Sequence, residues 1–141
     1  MAQLTVPTPR TYKILPVEDD FPMAASATIY EGSALSDTGS ATTATGVAEP
    51  LVAGENFMGF ANATVTSPAT GTTTINVNVD GVIQLVVTGV TSASLGATVY
   101  ASDGNTFTTT STSNTAVGKV VKIVSGTTVL VKFQAQGYRS V

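Results

Sequence analysis

The chain of 141 residues is 43% hydrophobic but only 11% charged, whereas an average soluble domain carries about 25% charged residues. It contains no Cys and no His, which excludes disulfide bridges, thiolate or imidazole metal sites, and every Ser-His-Asp or Cys-His catalytic arrangement. The formal net charge is −3 and no basic cluster is present, which argues against a nucleic-acid partner.

Neither a membrane anchor nor a leader is expected from the sequence. No stretch approaches the ~20 apolar residues that span a bilayer. The first residues, MAQLTVPTPRTYK, lack the basic region followed by an apolar segment that marks a signal peptide. We therefore expect a product made in the cytoplasm, with no membrane as a partner.

Residues 1–25 differ from the rest of the chain. They show no helical or strand periodicity and are punctuated by four prolines: Pro7, Pro9, Pro16 and Pro22. Apolar residues are nevertheless scattered through the segment, which a plain linker would not need. We predict an extended arm that lies along another surface, makes few contacts with the body at 26–141, and can be removed without unfolding it. The alternatives are a disordered tail and an arm that folds back across its own domain.

The arm supplies most of the residues that are expected to contact a partner or a neighbouring copy. Those residues are Leu4, Val6, Arg10, Tyr12, Lys13, Ile14, Leu15 and Phe21. Tyr138 and Arg139, near the end of the chain, form a possible second contact. The other aromatic residues occupy strand positions, so core packing is the expectation for them.

The first half of the body reads as short strands separated by turns. Residues 28–31 predict a strand, and the Gly/Ser/Thr-rich residues 32–46 predict a polar loop outside the core. Residues 47–52 contain Pro50, which restricts them to an edge strand. Residues 56–65 are strand-like, with Gly59 indicating a bulge or a close backbone approach. A turn from Ser67 to Gly71 follows.

The second half of the body contains three predicted hairpins. Residues 73–79 and 82–88 flank Asp80-Gly81, which is typical of a type I′ turn. Residues 97–101 and 106–110 flank a turn at 103–105, and residues 117–124 and 127–135 flank Ser125-Gly126. In the last strand the lysine-bearing face is expected to protect an exposed edge. Only residues 90–97 suggest a helical turn.

Seven to nine short strands at this spacing predict an all-β fold, a small antiparallel β-barrel or sandwich with an extended N-terminal arm. The acidic run Glu18-Asp19-Asp20 lies in the arm and is interpreted as a solvated or partner-facing charge run. Asp103-Gly104-Asn105 lacks the spaced acids and the final Glu of a calcium loop. We therefore expect no enzyme, no cofactor and no bound metal.

Four segments together resemble the small capsid cement, or head decoration, proteins of tailed bacteriophages. They are TIYEGSAL (28–35), PLVAGENFMGFANATV (50–65), VNVDGVIQLVVTGV (77–90) and the run from GATVYASDGNTF to VLVKF (96–133). Their order and spacing carry the resemblance, which covers about residues 26–135. It implies a β-rich domain on the outer surface of the virion that binds the major capsid protein, associates as homotrimers and reinforces the mature head against internal pressure.

A carbohydrate-binding or adhesin-like β module is the alternative, because Thr-rich β-sandwiches are common in that class. Such a module would call for exposed tryptophans or clustered aromatic residues together with a secretion signal. The chain has no Trp, and neither feature is found. The head-decoration interpretation is therefore preferred.

Overall fold

The described part of the protein consists of strands joined by turns. The computed structural model describes residues 3–40, 42–70 and 73–138. These residues form eleven strands and one short 3-10 helix, with the bounds β1 Tyr12–Pro22, β2 Thr28–Ile29, β3 Ala34–Asp37, β4 Ala48–Pro50, β5 Phe57–Ala61, β6 Val65–Thr66, β7 Thr74–Thr88, β8 Thr98–Asp103, β9 Thr106–Thr108, β10 Thr115–Ser125, β11 Thr128–Gln134 and η1 Gln136–Tyr138. The predicted all-β class is confirmed.

Five of these strands close into a small barrel. The hydrogen-bonded order β7-β11-β10-β8-β9 returns to β7, and only the short β7–β9 contact is parallel. Alternate side chains of the strands point into the barrel, where Phe133 of β11 packs edge-on against Phe60 of the neighbouring strand β5, with ring centroids 5.0 Å apart. Such aromatic contacts add about 1 kcal/mol each beyond the apolar area they bury. The barrel alternative of the predicted fold is thus the one observed.

The sheet continues beyond the barrel on the side of β7. β5 pairs with the first half of β7, and β3 and β4 follow outward in the same sheet. This extension encloses a second hydrophobic cluster, which includes Ile29, Leu35, Ile75 and Val77. β4 ends the sheet as the edge strand predicted from Pro50. The predicted loop at 32–46 is wrong in part, because β3 lies within it and its four residues are all buried.

The hairpin predicted at Asp80-Gly81 is wrong, because β7 continues through both residues as one strand of 15 residues. β11 runs alongside, placing Gln134 opposite Asp80 and Phe133 opposite Gly81. Asp80 accepts hydrogen bonds from Lys132 and Gln134. Pairing on β11 therefore outweighs the local turn preference, which is worth little once the neighbouring strand is in place.

The N-terminal arm is extended, as predicted, but the expectation of few contacts with its own body is wrong. β1 pairs antiparallel with β7, from Tyr12 opposite Ile83 to Pro22 opposite Thr74. Prolines are tolerated there because β1 is bonded to β7 alone among the described strands, so a missing N–H can face outward. Folding back across its own domain, the third interpretation of the sequence, is the arrangement observed.

The last two predicted hairpins are confirmed, but the role given to the final lysines is not. β8 pairs with β9 around residues 103–105, and β10 pairs with β11 around Ser125-Gly126. β11 is bonded on both sides, to β10 and to β7. It is not an exposed edge, and Lys132 forms an ion pair with Asp80 rather than guarding one.

Candidate interaction surfaces

The described residues contain no group of three or more acidic side chains arranged to hold a metal ion. The acidic run of the arm lies along β1 and is engaged by neighbouring amides. Asn62 Nδ2 donates to Glu18 Oε1 over 3.1 Å, and Asn76 Nδ2 donates to Asp20 Oδ1 over 3.1 Å. These carboxylates thus form a polar surface strip on an edge strand.

Two carboxyl groups that lie apart in sequence meet beside β3. Glu49 on β4 is opposite Ser36 on β3, and Ser36 Oγ donates to Glu55 Oε2 over 3.1 Å. Partial burial, the hydrogen bond with the Glu55 carboxyl and repulsion from Glu55 and Asp37 raise the pKa of Glu49 to about 7. The sequence gives no signal for this pair, because it depends on how the turn after β4 returns along β3.

The loop after β3 is fixed by the buried carboxylate of Asp37. Its Oδ1 accepts the N–H groups of Gly39 at 2.7 Å and Thr45 at 2.8 Å, and its Oδ2 accepts that of Gly46 at 2.6 Å. Burial alone would raise the pKa of Asp37, but these hydrogen bonds outweigh it and the pKa is lowered. This aspartate therefore has a structural role.

The outer surface of β10 combines apolar and basic side chains. Leu95 is 67% exposed, and Val121 and Val124 are each 46% exposed. Register shifts after Val120 and after Ile123 interrupt the alternation of β10, so that consecutive side chains face outward. The exposed Lys119 and Lys122 lie next to Val121 along the strand. Leu95 belongs to this surface because Gly96 N donates to Val120 O over 2.8 Å. We call these five residues the β10 face.

The arm residues predicted to contact a partner fall into two groups, those that pack on the protein's own body and those that are exposed. Tyr12 packs on Phe133 at a centroid distance of 6.1 Å and accepts a 2.9 Å hydrogen bond from Asn78 Nδ2. Phe21 packs against the second hydrophobic cluster, whereas Val6 and Lys13 are exposed and Leu4 is half-buried. The predictions for the side chains of Ile14, Leu15 and Tyr138, and for Arg139, lie outside what the structure describes.

Arg10 of the arm forms hydrogen bonds and an aromatic contact with the body of the protein. Its Nε–H donates to Gly32 O over 2.9 Å and an Nη2–H donates to Asn105 Oδ1 over 3.0 Å. The guanidinium carbon lies 5.7 Å from the centroid of the Phe107 ring. Burial lowers the pKa of Arg10, while interaction with Tyr12 opposes that shift.

Comparison with known proteins identifies no family for this chain. No protein-family model matches the chain, and no curated protein matches it significantly. Within residues 3–40, 42–70 and 73–138 there is no helix of the length and apolarity needed to cross a bilayer.

Proposed function

We propose that this protein is a structural virion protein that binds the outer surface of a tailed-phage capsid through the major capsid protein and stabilises the mature head. It would be made in the host cytoplasm and added to heads from outside. The observation that carries the proposal is the β10 face, an exposed apolar surface flanked by lysines on a sparsely charged barrel. The motif order of residues 26–135 supports the same function.

The β10 face is suited to protein contact. Large apolar side chains exposed next to one another are uncommon on isolated domains and are typical of surfaces that are covered in an assembly. The lysines beside them suit a partner surface that carries acidic side chains, and add steering at low ionic strength. No catalytic role is part of this proposal.

Self-association is part of the proposal, with the acidic strip of β1 as the complementary surface. Val17 is 54% exposed there, and Glu18 and Asp20 lie beside it with exposed side chains. A surface with an apolar centre and acidic flanks matches one with an apolar centre and basic flanks. Because the two surfaces are different, their contact is heterologous, and such contacts close into rings when the rotation permits. A homotrimer is the ring that we propose.

Stabilisation follows from mass action. A protein that binds the mature shell and not the loosened shell adds its binding free energy to the stability of the mature state. Many copies linked by capsid symmetry convert weak individual contacts into strong overall binding, because each bound copy raises the effective concentration for its neighbours. A sparsely charged domain allows such close spacing without strong repulsion.

The proposal is tested by co-sedimentation with expanded phage heads that lack a decoration protein. The full chain is expected to pellet with the heads in saturable amounts. The double variant Val121→Asp, Val124→Asp should bind at least about tenfold more weakly, since it places charges where apolar area must be buried. Thr112→Asp, in an exposed turn before β10, is the matched control and should bind normally. If the double variant binds heads as tightly as the Thr112→Asp control, the β10 face is not the surface through which the protein binds.

A hydroxyl-lined groove keeps the carbohydrate-binding alternative open as a second candidate. The groove has a volume of about 260 Å³ and is lined by Thr88, Ser102, Thr106, Thr108, Thr110 and Asn114. Ser102 Oγ is buried there without a hydrogen-bond partner among the described residues. Saturable binding of oligosaccharides on a glycan array, with phage heads left undecorated, would favour this alternative.

A further inference from the structure

Arg10 carries a half-buried positive charge that no carboxylate of the described residues neutralises. Among the described residues the one ion pair is that of Lys132 with Asp80. Arg10 is held by neutral acceptors, and its two hydrogen bonds use two of the five N–H donors of a guanidinium. A partly buried charge without a counter-charge is unfavourable. An acidic partner at the remaining donors would relieve that cost.

A cavity opens beside the guanidinium. It has a volume of about 310 Å³ and is lined by Arg10, Val86, Thr88, Asn105, Thr106 and Phe107. Asp103 lies in the turn that also carries Asn105 and Thr106, and its carboxylate accepts hydrogen bonds from Asn105 N–H at 2.9 Å and from Thr106 Oγ at 3.1 Å. Its carboxylate is therefore occupied locally, and Arg10 remains the cation of the cavity.

We propose that this cavity, the Arg10 pocket, binds the carboxylate of a glutamate or aspartate side chain from a partner protein. The guanidinium would hold the carboxylate through its remaining N–H donors, in the charge-assisted geometry that arginine and carboxylates favour. Val86, which is 64% exposed, would cover the methylene groups of the incoming side chain. That the partner is a neighbouring copy or the capsid shell rests on the proposed function, whereas the pocket's preference for a carboxylate does not.

The make-up of the pocket selects among ligand classes. A single cation matches the single charge of a carboxylate, whereas phosphate sites usually combine several positive groups or a row of backbone N–H donors. The apolar wall formed by Val86 and Phe107 suits a short alkyl stem. A protein side chain meets both requirements, because its charged end and its methylene groups arrive together.

The pocket is tested by NMR titration of the isotope-labelled full chain, without any capsid. The probe is N-acetyl-glutamate methylamide, and its matched neutral compound is N-acetyl-glutamine methylamide. We expect saturable shifts of the Arg10 Nε–H and of the Asn105 and Thr106 amides with the first compound, and about tenfold weaker binding of the second. Equal binding of the two compounds, or no saturable shift, would overturn the proposal.

Variants identify the group responsible. Arg10→Gln should abolish the saturable shifts, and Arg10→Lys should weaken them while keeping the charge, because lysine lacks the planar fork. Lys132→Gln removes a positive charge elsewhere on the barrel and should leave them unchanged. Unaltered probe binding by Arg10→Gln, with a spectrum that shows it to be folded, would contradict the assignment. If the probe binds but heads stay undecorated, the pocket stands and the proposed function fails.

Discussion

At the level of single residues, three ionisable side chains, Arg10, Asp37 and Glu49, lie in surroundings that shift their pKa. Glu49 lies partly buried beside a second carboxyl, so its neutral form is favoured, whereas Asp37 gathers backbone N–H groups that favour its ionised form. The surroundings of Glu49 make the free energy of unfolding depend on pH near neutrality, and those of Asp37 make it depend on pH in acid. Arg10 is a third case, a cation without a counter-charge among the residues that the structure describes.

The first prediction concerns Glu49. Its folded pKa of about 7 exceeds its ordinary value of 4.5, so the folded state binds more protons between these values. Its contribution to stability is therefore present below pH 4.5 and is lost as pH rises through 7. Glu49→Gln should flatten this decline and raise the free energy of unfolding at pH 8 by roughly 1 kcal/mol, after allowance for solvent screening.

Urea denaturation across pH 4 to 8 provides the measurement. Glu18→Gln, which neutralises an exposed acid on β1, is the matched control and should leave the pH profile of the wild type in place. A wild-type profile without a decline up to pH 7, or an equal effect of the two variants, would contradict the account of the carboxyl pair.

At the scale of elements, alternation of apolar residues predicted well those strands whose pairing is local. The hairpin of β10 and β11 follows directly from sequence, and three alternate apolar residues of its second strand, Val129, Val131 and Phe133, are fully buried. The close backbone approach predicted at Gly59 is also confirmed, because its φ is 116° and a Cβ there would collide with Asn78 O. Local patterns suffice where the neighbouring strand is next in sequence.

Sequence reasoning failed where distant strands decide the structure. Asp80-Gly81 has the composition of a turn, yet β11 draws it into a strand, and β3 is buried although its surroundings are polar and rich in Gly and Ser. The carboxyl pair depends on the pairing of β3 with β4, and the Arg10 pocket depends on the approach of residues 10, 32 and 105. No local signal reports such contacts, since they exist only once segments that lie apart in sequence have come together.

The second prediction concerns β1. Tyr12 packs on the barrel core and binds Asn78, so Tyr12→Ala should lower the free energy of unfolding by about 3 kcal/mol. Val17→Ala, at an exposed position of the same strand, should change it by less than about 0.5 kcal/mol. Urea denaturation measures the free energy of unfolding of both variants.

Truncation of residues 1–25 removes the whole of β1 and should therefore unfold the domain. A stable truncated domain would show that β1 is dispensable.

At the scale of the whole molecule, the fold joins a closed barrel to an open sheet extension through one long strand. Closure removes the edges of the barrel strands, and the exposed edge strand β1 carries prolines and acids that discourage indiscriminate strand addition. The assembly that we propose would use a pair of complementary surfaces, the β10 face and the acidic strip of β1, with the Arg10 pocket as a third point of contact. This distribution is the physical basis of the proposal that the domain works in a lattice of copies.

The most direct test of the central claim is a cryo-EM reconstruction of expanded phage heads incubated with the full chain. We expect density on the outer surface of the shell, arranged as trimers, with the β10 face buried against a neighbouring copy or the shell. Heads that remain bare at saturating protein concentrations, or that carry isolated monomers with the β10 face open to solvent, would contradict it.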